Sequence, residues 1–144
     1  MRYIGLYREL DPRQPDLYQE SIHEAIARGA TYSMEEVAKY LEAGHPTLDV
    51  MEGTPDVVGG AFSALGGPSM MTDGEYAWRY DLSFYVRHYT PALPEEFTAR
   101  VHELNGVVPQ VPHEKLLLVS SAINEYLGFR KSEPDRYRRG GQPR

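Results

Sequence analysis

The segment MMTDGEYAWRYDLSFYVRHY, residues 70–89, sets a β-hairpin signal directly against a helix signal, and it constrains the fold more than any other stretch. Asp73-Gly74 is a favoured pair for a two-residue type I′ turn, whose central residues both take positive φ. Such a turn pairs Thr72 with Glu75, Met71 with Tyr76 and Ser69 with Trp78. Side chains alternate across a strand, so Met71, Tyr76 and Trp78 share one face, and Thr72, Glu75 and Ala77 share a wetter one. Asp81 stands at a helix N-cap position. Leu82, Tyr85, Val86 and Tyr89 then repeat at helical spacing until Pro91. Two strands alone make no stable sheet in water. The hairpin is therefore expected to lay its aromatic face on helices, first on Leu82–Tyr89 and its neighbours. The only tryptophan and four of the eleven tyrosines fall within residues 66–89. They have two readings: a packed core, or an aromatic rim facing a partner.

About five helices complete this plan. Asp16 with Gln19 resembles a capping box, and Tyr18, Ile22, Ala25 and Ile26 follow on one face until Gly29. Ser33 with Glu36 forms a second box, ahead of the stripe Met34, Val37, Ala38 and Leu41; Gly44 and Pro46 end it. Pro94 suits a first helical position, with Glu95 and Glu96 at the positive helix end and Phe97, Val101 and Leu104 on the buried face up to Asn105-Gly106. Pro112 opens the last helix, with Leu116, Val119, Ser120, Ile123 and Leu127 on one stripe and Gly128 as its stop. YIGLY at residues 3–7 is a candidate short N-terminal strand. Residues 46–68 hold five glycines and three prolines, which exclude a long regular element and leave short fragments near Asp56–Leu65. The expectation is an α+β fold, mainly helical, with one hairpin. It forms a single domain over residues 1–129, followed by a basic tail, residues 130–144, expected to be mobile.

Charge separates these two parts. The chain has 15 Lys and Arg against 21 Asp and Glu, for a net −6, yet residues 130–144 carry six basic and two acidic side chains. The acidic body argues against nucleic-acid binding, which draws most of its affinity from phosphate neutralisation. From Pro46 through Trp78 there are Asp49, Glu52, Asp56, Asp73 and Glu75 and no Lys, Arg or His. This run reads either as a solvated acidic loop or as a patch that fills a basic groove. There is no cysteine, hence no disulfide or thiolate metal site. The opening residues MRYIGLYREL carry charge and no long apolar run, unlike a signal peptide. A soluble cytoplasmic protein with no membrane span is expected.

The common catalytic motifs are missing from the sequence. His23-Glu24, His102-Glu103 and His113-Glu114 each lack the second histidine four residues on that a zincin helix needs. GAFSALG is not a nucleophile elbow, and no phosphate-binding glycine motif occurs. Neither a cofactor nor a metal is implied.

The stretch Met70–Phe97 resembles a pattern found in small bacterial proteins: an acidic D-G-E turn, aromatic-x-aromatic, a D-L-x-x-Y-V helix, then L-P-x-E-F. Here it reads Asp73, Gly74, Glu75, Tyr76, Trp78, Asp81, Leu82, Tyr85, Val86, Leu93, Pro94, Glu96 and Phe97. Tyr76 stands where the pattern often has tryptophan. Some such proteins look like immunity proteins, which neutralise a secreted toxin by binding it directly. The resemblance implies a shared hairpin–helix–helix core and, further, a protein partner: a toxin with a basic surface. With the acidic body, it gives the expected function, a non-enzymatic binding protein that occludes a toxin active site. Asp49, Glu52, Asp56, Asp73, Glu75 and Trp78 are its candidate contacts. Two alternatives stand beside it. One is a small hydrolase using carboxylates or histidine near residues 49–81; the other is a DNA-associated regulator using the basic tail.

Overall fold

A computed structural model describes residues 1–128. The expected tail, residues 130–144, lies outside the described residues. The fold is α+β, with five helices, a four-stranded mixed sheet and a separate two-stranded sheet. The elements run β1 (Arg2–Tyr3), α1 (Ile22–Arg28), α2 (Met34–Glu42), β2 (His45–Leu48), β3 (Gly53–Pro55), β4 (Ser63–Leu65), β5 (Met70–Thr72), β6 (Tyr76–Arg79), α3 (Leu82–Tyr89), α4 (Glu95–Glu103) and α5 (His113–Leu127). The main sheet has the order β1-β6-β5-β2, with β1 parallel to β6 and the other pairs antiparallel. β3 pairs with β4. No described helix is long and apolar enough to cross a membrane.

The expected hairpin is present, but its register differs by two residues. Met71 pairs with Trp78 and Thr72 with Ala77, so four residues, 73–76, lie within the innermost pair, the last of them already in β6. Side-chain bonds set this wider turn. Asp73 Oδ1 accepts from the Glu75 and Tyr76 amides at 2.9 and 2.7 Å. Thr72 Oγ1 accepts from the Gly74 amide and donates to the Tyr76 carbonyl. Gly74, at φ 98°, supplies the one left-handed residue that the turn requires. A slip of two residues preserves strand faces, where a slip of one would exchange them. Met71, Tyr76 and Trp78 therefore still share a face.

That face is the centre of the larger core. Trp78 is fully buried, donates to the Leu41 carbonyl at 3.1 Å and packs on Tyr40 and Phe97. Its aromatic pairs run to α2 and α4, and it shares one core with Leu82, Tyr85 and Val86 of the α3 helix that follows it. A Cβ on Gly44 would sit 2.7 Å from Trp78 Cζ2, so the end of α2 needs glycine to approach the indole. Leu82, Tyr85 and Val86 of α3, Val37 and Ala38 of α2, and Phe97 and Val101 of α4 fill the same layer.

The opposite face corrects an expectation. Thr72 and Ala77 are fully buried rather than wet. Met70 and Ala77 pack against Val119, Ile123 and Leu127 of α5, and Tyr3 stacks on Tyr126 with ring centroids 4.0 Å apart. The sheet is covered on both sides, α1–α4 on one and α5 on the other.

Helix ends follow the sequence with two exceptions. Ser33 caps α2 by accepting from the Glu36 amide. Asn105 and Gly106 leave α4 through left-handed backbone, and Pro94 and Pro112 sit one position before the first helical residues of α4 and α5. The first helix, however, starts at Ser21 and not at Asp16. Ser21 accepts from the Glu24 amide, while the Glu9 carboxylate accepts from the Ile22 amide and the Ser21 hydroxyl. Residues 16–20 form a loop in which Gln19 donates back to the Asp16 carbonyl. The second exception is Asp81, which precedes α3 but makes no capping bond.

Asp73 Oδ2 completes the junction. It accepts from Tyr40 Oη at 2.6 Å and from Arg100 Nε at 3.0 Å, so one buried carboxylate ties the hairpin to α2 and α4. Burial alone would raise its pKa. The bonds from Tyr40, the Tyr76 and Glu75 amides and Arg100 outweigh that and hold it below the ordinary aspartate value. Removing it with Asp73→Ala leaves these donors unpaired and should cost about 3–5 kcal/mol in urea denaturation. The unfolded-state pKa is about 3.9, so this contribution is complete above about pH 4 and is lost as pH falls through the lower folded value. Asp73→Asn should therefore lose stability less steeply than the wild type below pH 4. By contrast, the buried Tyr7 hydroxyl has no hydrogen-bond partner among the described residues. Tyr7→Phe should leave stability unchanged or raise it by up to about 1 kcal/mol in the same assay.

Candidate functional site

The six residues expected at a partner surface divide into two groups. Asp73 and Trp78 are interior groups of the hairpin junction, as described. Asp56 is also buried. Its carboxylate accepts from the Val58, Gly59 and Ala61 amides and from the Tyr89 hydroxyl, closing the loop between β3 and β4. Burial raises its pKa, but these bonds outweigh that effect and the net shift is downward. All three residues are consumed by the fold and present no surface to a partner.

Asp49, Glu52 and Glu75 are exposed. Glu75, at the hairpin tip, lies 3.6 Å from Arg100 Nη1. Asp49 and Glu52 sit elsewhere, on the connection between β2 and β3. Their side chains make no hydrogen bond or ion pair among the described residues. The negative face thus reduces to Asp49 and Glu52, with Glu75 apart and partly compensated.

Beside these two acids the structure opens a groove of about 330 Å³, lined by Pro46, Asp49, Met51, Leu65, Gly66, Ser69, Met70, Met71 and Tyr80. Met51 is 84% exposed and Leu65 75% exposed, and Tyr80 is also open to solvent. Isolated surface apolar residues are ordinary; here several large ones meet at one concavity. The sequence reading missed Met51, Leu65 and Tyr80. The available signal was slight: apolar residues inside a glycine-rich acidic segment, with no periodicity to bury them.

The groove is held by backbone bonds. Ser69 Oγ accepts from the Val50 amide at 2.9 Å, the Gly66 amide donates to the Glu52 carbonyl, and the Tyr80 amide donates to the Ser69 carbonyl. On the far side of the 49–54 segment is a more enclosed cavity of about 160 Å³, whose lining includes Asp11, Arg13, Tyr18, Glu52, Thr54 and Arg79. Arg79 donates from Nε and Nη2 to Asp81 at 3.1 and 2.8 Å, and Thr54 donates to the same carboxylate. Both charges of this pair are buried. Burial lowers the Arg79 pKa, but the Asp81 charge outweighs it and keeps the guanidinium protonated; burial pushes the Asp81 carboxyl up against the pull of Arg79.

His23, His102 and His113 are exposed on helices α1, α4 and α5, and among the described residues no histidine lines either concavity. Nor does any group of three or more metal-ligating side chains gather among the described residues. Chemically, the arrangement offers an apolar cleft with an acidic border and a charge-paired cavity behind it.

Arg79→Ala strands the Asp81 carboxylate in the interior and should cost about 3–5 kcal/mol by urea denaturation, whereas replacing both Arg79 and Asp81 with leucine should recover most of that loss.

Comparison with protein-family models, with curated proteins and with solved structures returns no match.

Proposed function

We propose that this chain is a non-enzymatic binding protein whose Asp49–Tyr80 face holds a basic protein partner, and that it acts as an immunity protein covering a toxin's active site. One observation carries the reading: Met51 and Leu65, largely exposed, flank an apolar groove beside Asp49 and Glu52, which make no ion pair among the described residues. Exposed apolar groups gathered at a concavity, with a charged border, have the composition of a protein interface core and rim. The resemblance of Met70–Phe97 to immunity-like proteins supports the choice of partner class. The hydrolase alternative needs a histidine or a second carboxylate facing the first across a cleft. Among the described residues Asp49 alone brings a carboxylate to this groove, whose lining is otherwise mostly apolar; in the cavity behind it Glu52 is accompanied by Asp11, which is bonded to Arg13 and Gln14. That composition supports binding.

The test takes as partner a protein captured by this chain from its native cell, and the reading requires that protein to be a toxin. Met51→Asp combined with Leu65→Asp should leave the melting curve nearly unchanged, since neither side chain is buried, and should weaken the complex by about 100-fold or more. Asp49→Lys with Glu52→Lys should slow association, chiefly at low salt, with little effect on dissociation. Wild-type affinity in the apolar double variant would remove this face from consideration.

A further inference from the structure

The backbone from Asp49 to Thr54 forms a ridge between the two concavities, and its side chains alternate across it. Asp49 and Met51 line the apolar groove; Val50, Glu52 and Thr54 line the enclosed cavity. The ridge is fixed from beneath by Ser69 on Val50 and by Gly66 on the Glu52 carbonyl. Any partner lying over Met51 is thus one residue away from Glu52 and the second concavity.

The two sides differ in what they can select. The exposed thioether of Met51 lines the groove beside Leu65, while Met70 and Met71 underlie it as buried core side chains. Thioether side chains adapt to many apolar shapes, so this side discriminates poorly. The cavity side carries the charge. Its cations are already matched: Arg79 to Asp81 at 2.8 Å and Arg13 to Asp11 at 3.1 Å. Glu52 is left over, exposed, with no ion pair among the described residues. Arg13 feels its charge but bonds to Asp11 instead. Among the described residues, Glu52 thus places a negative charge without an ion pair at a cavity of about 160 Å³.

Resting on the protein-binding reading above, we propose that this face recognises a lysine or arginine adjacent to a large apolar residue in the partner, the two astride the 49–54 ridge. The apolar side chain enters the Met51–Leu65 groove and supplies most of the affinity. The cation meets Glu52 and supplies selectivity. This division follows from desolvated apolar anchors contributing most at hot spots, while charges at an interface border act mainly on encounter and choice of partner.

Selection from a random dodecapeptide library displayed on phage tests this against the wild type, Glu52→Gln and Leu65→Asp. Both positions of change are on the surface, so the variants should fold as the wild type does. The wild type should enrich peptides with Lys or Arg within three residues of Leu, Met or Phe by about tenfold over the input. Glu52→Gln should keep the apolar preference and lose the basic one; Leu65→Asp should lose the apolar preference. Enrichment of apolar peptides with no basic preference, or an unchanged basic preference in Glu52→Gln, overturns this inference and leaves the binding face in place. Peptide recovery by the wild type no better than by Leu65→Asp removes the face itself, and the inference with it.

Discussion

The Asp73 carboxylate accepts four hydrogen bonds: two from backbone amides of its own turn, one from Tyr40 on α2 and one from Arg100 on α4. A buried carboxylate is tolerable only when its lone pairs are filled in this way. Filling them dictates geometry. The turn must widen to four residues, α2 must bring Tyr40 under the hairpin, and α4 must lie close enough for Arg100 to reach. Trp78 and Phe97 then meet in the space those constraints enclose. The hairpin and the helices on its aromatic side are therefore one cooperative unit, with the polar anchor at the tip and the indole at the centre.

The same arrangement sorts the acidic residues by role. Asp56, Asp73 and Asp81 are buried and answer to donors inside the molecule. Each sits at a junction: a loop closure, a hairpin tip and the start of α3. Asp49 and Glu52 answer to nothing within the described chain, and they lie beside apolar side chains that the fold leaves in water. Linear sequence offers no way to separate these classes, because burial of a carboxylate depends on donors that arrive from distant segments: Tyr40 for Asp73, Tyr89 for Asp56, Thr54 for Asp81.

Where local rules act alone, the sequence was legible. Ser33 and Glu36 mark the start of α2, Asn105-Gly106 its counterpart at the end of α4, and period-two alternation assigned Met71 and Trp78 to one face even with the register shifted. Where a second segment decides, it was not. The start of α1 depends on Glu9 reaching its amides from outside the helix. The Thr72–Ala77 face looked wet because its cover, α5, lies some forty residues downstream and itself carries leucines on its outer side. β2 was hidden by Pro46, which reads as a helix terminator yet sits within a strand. The groove was missed for a related reason: it is built from β2, β4 and β5 and the loops between them, none of which has periodicity long enough to detect.

Pro46 has one more effect. β2 is an outer strand of the main sheet, and it contains both a proline and a register irregularity between Pro46 and Leu48. A proline withholds one amide, and a bulge upsets the spacing of the rest, so an incoming chain finds no regular ladder to extend. A molecule that leaves methionine and leucine in solvent next to a sheet margin is at risk of stacking into fibrils. This margin is blunted, so copies of the chain find no regular edge beside the exposed apolar side chains on which to stack.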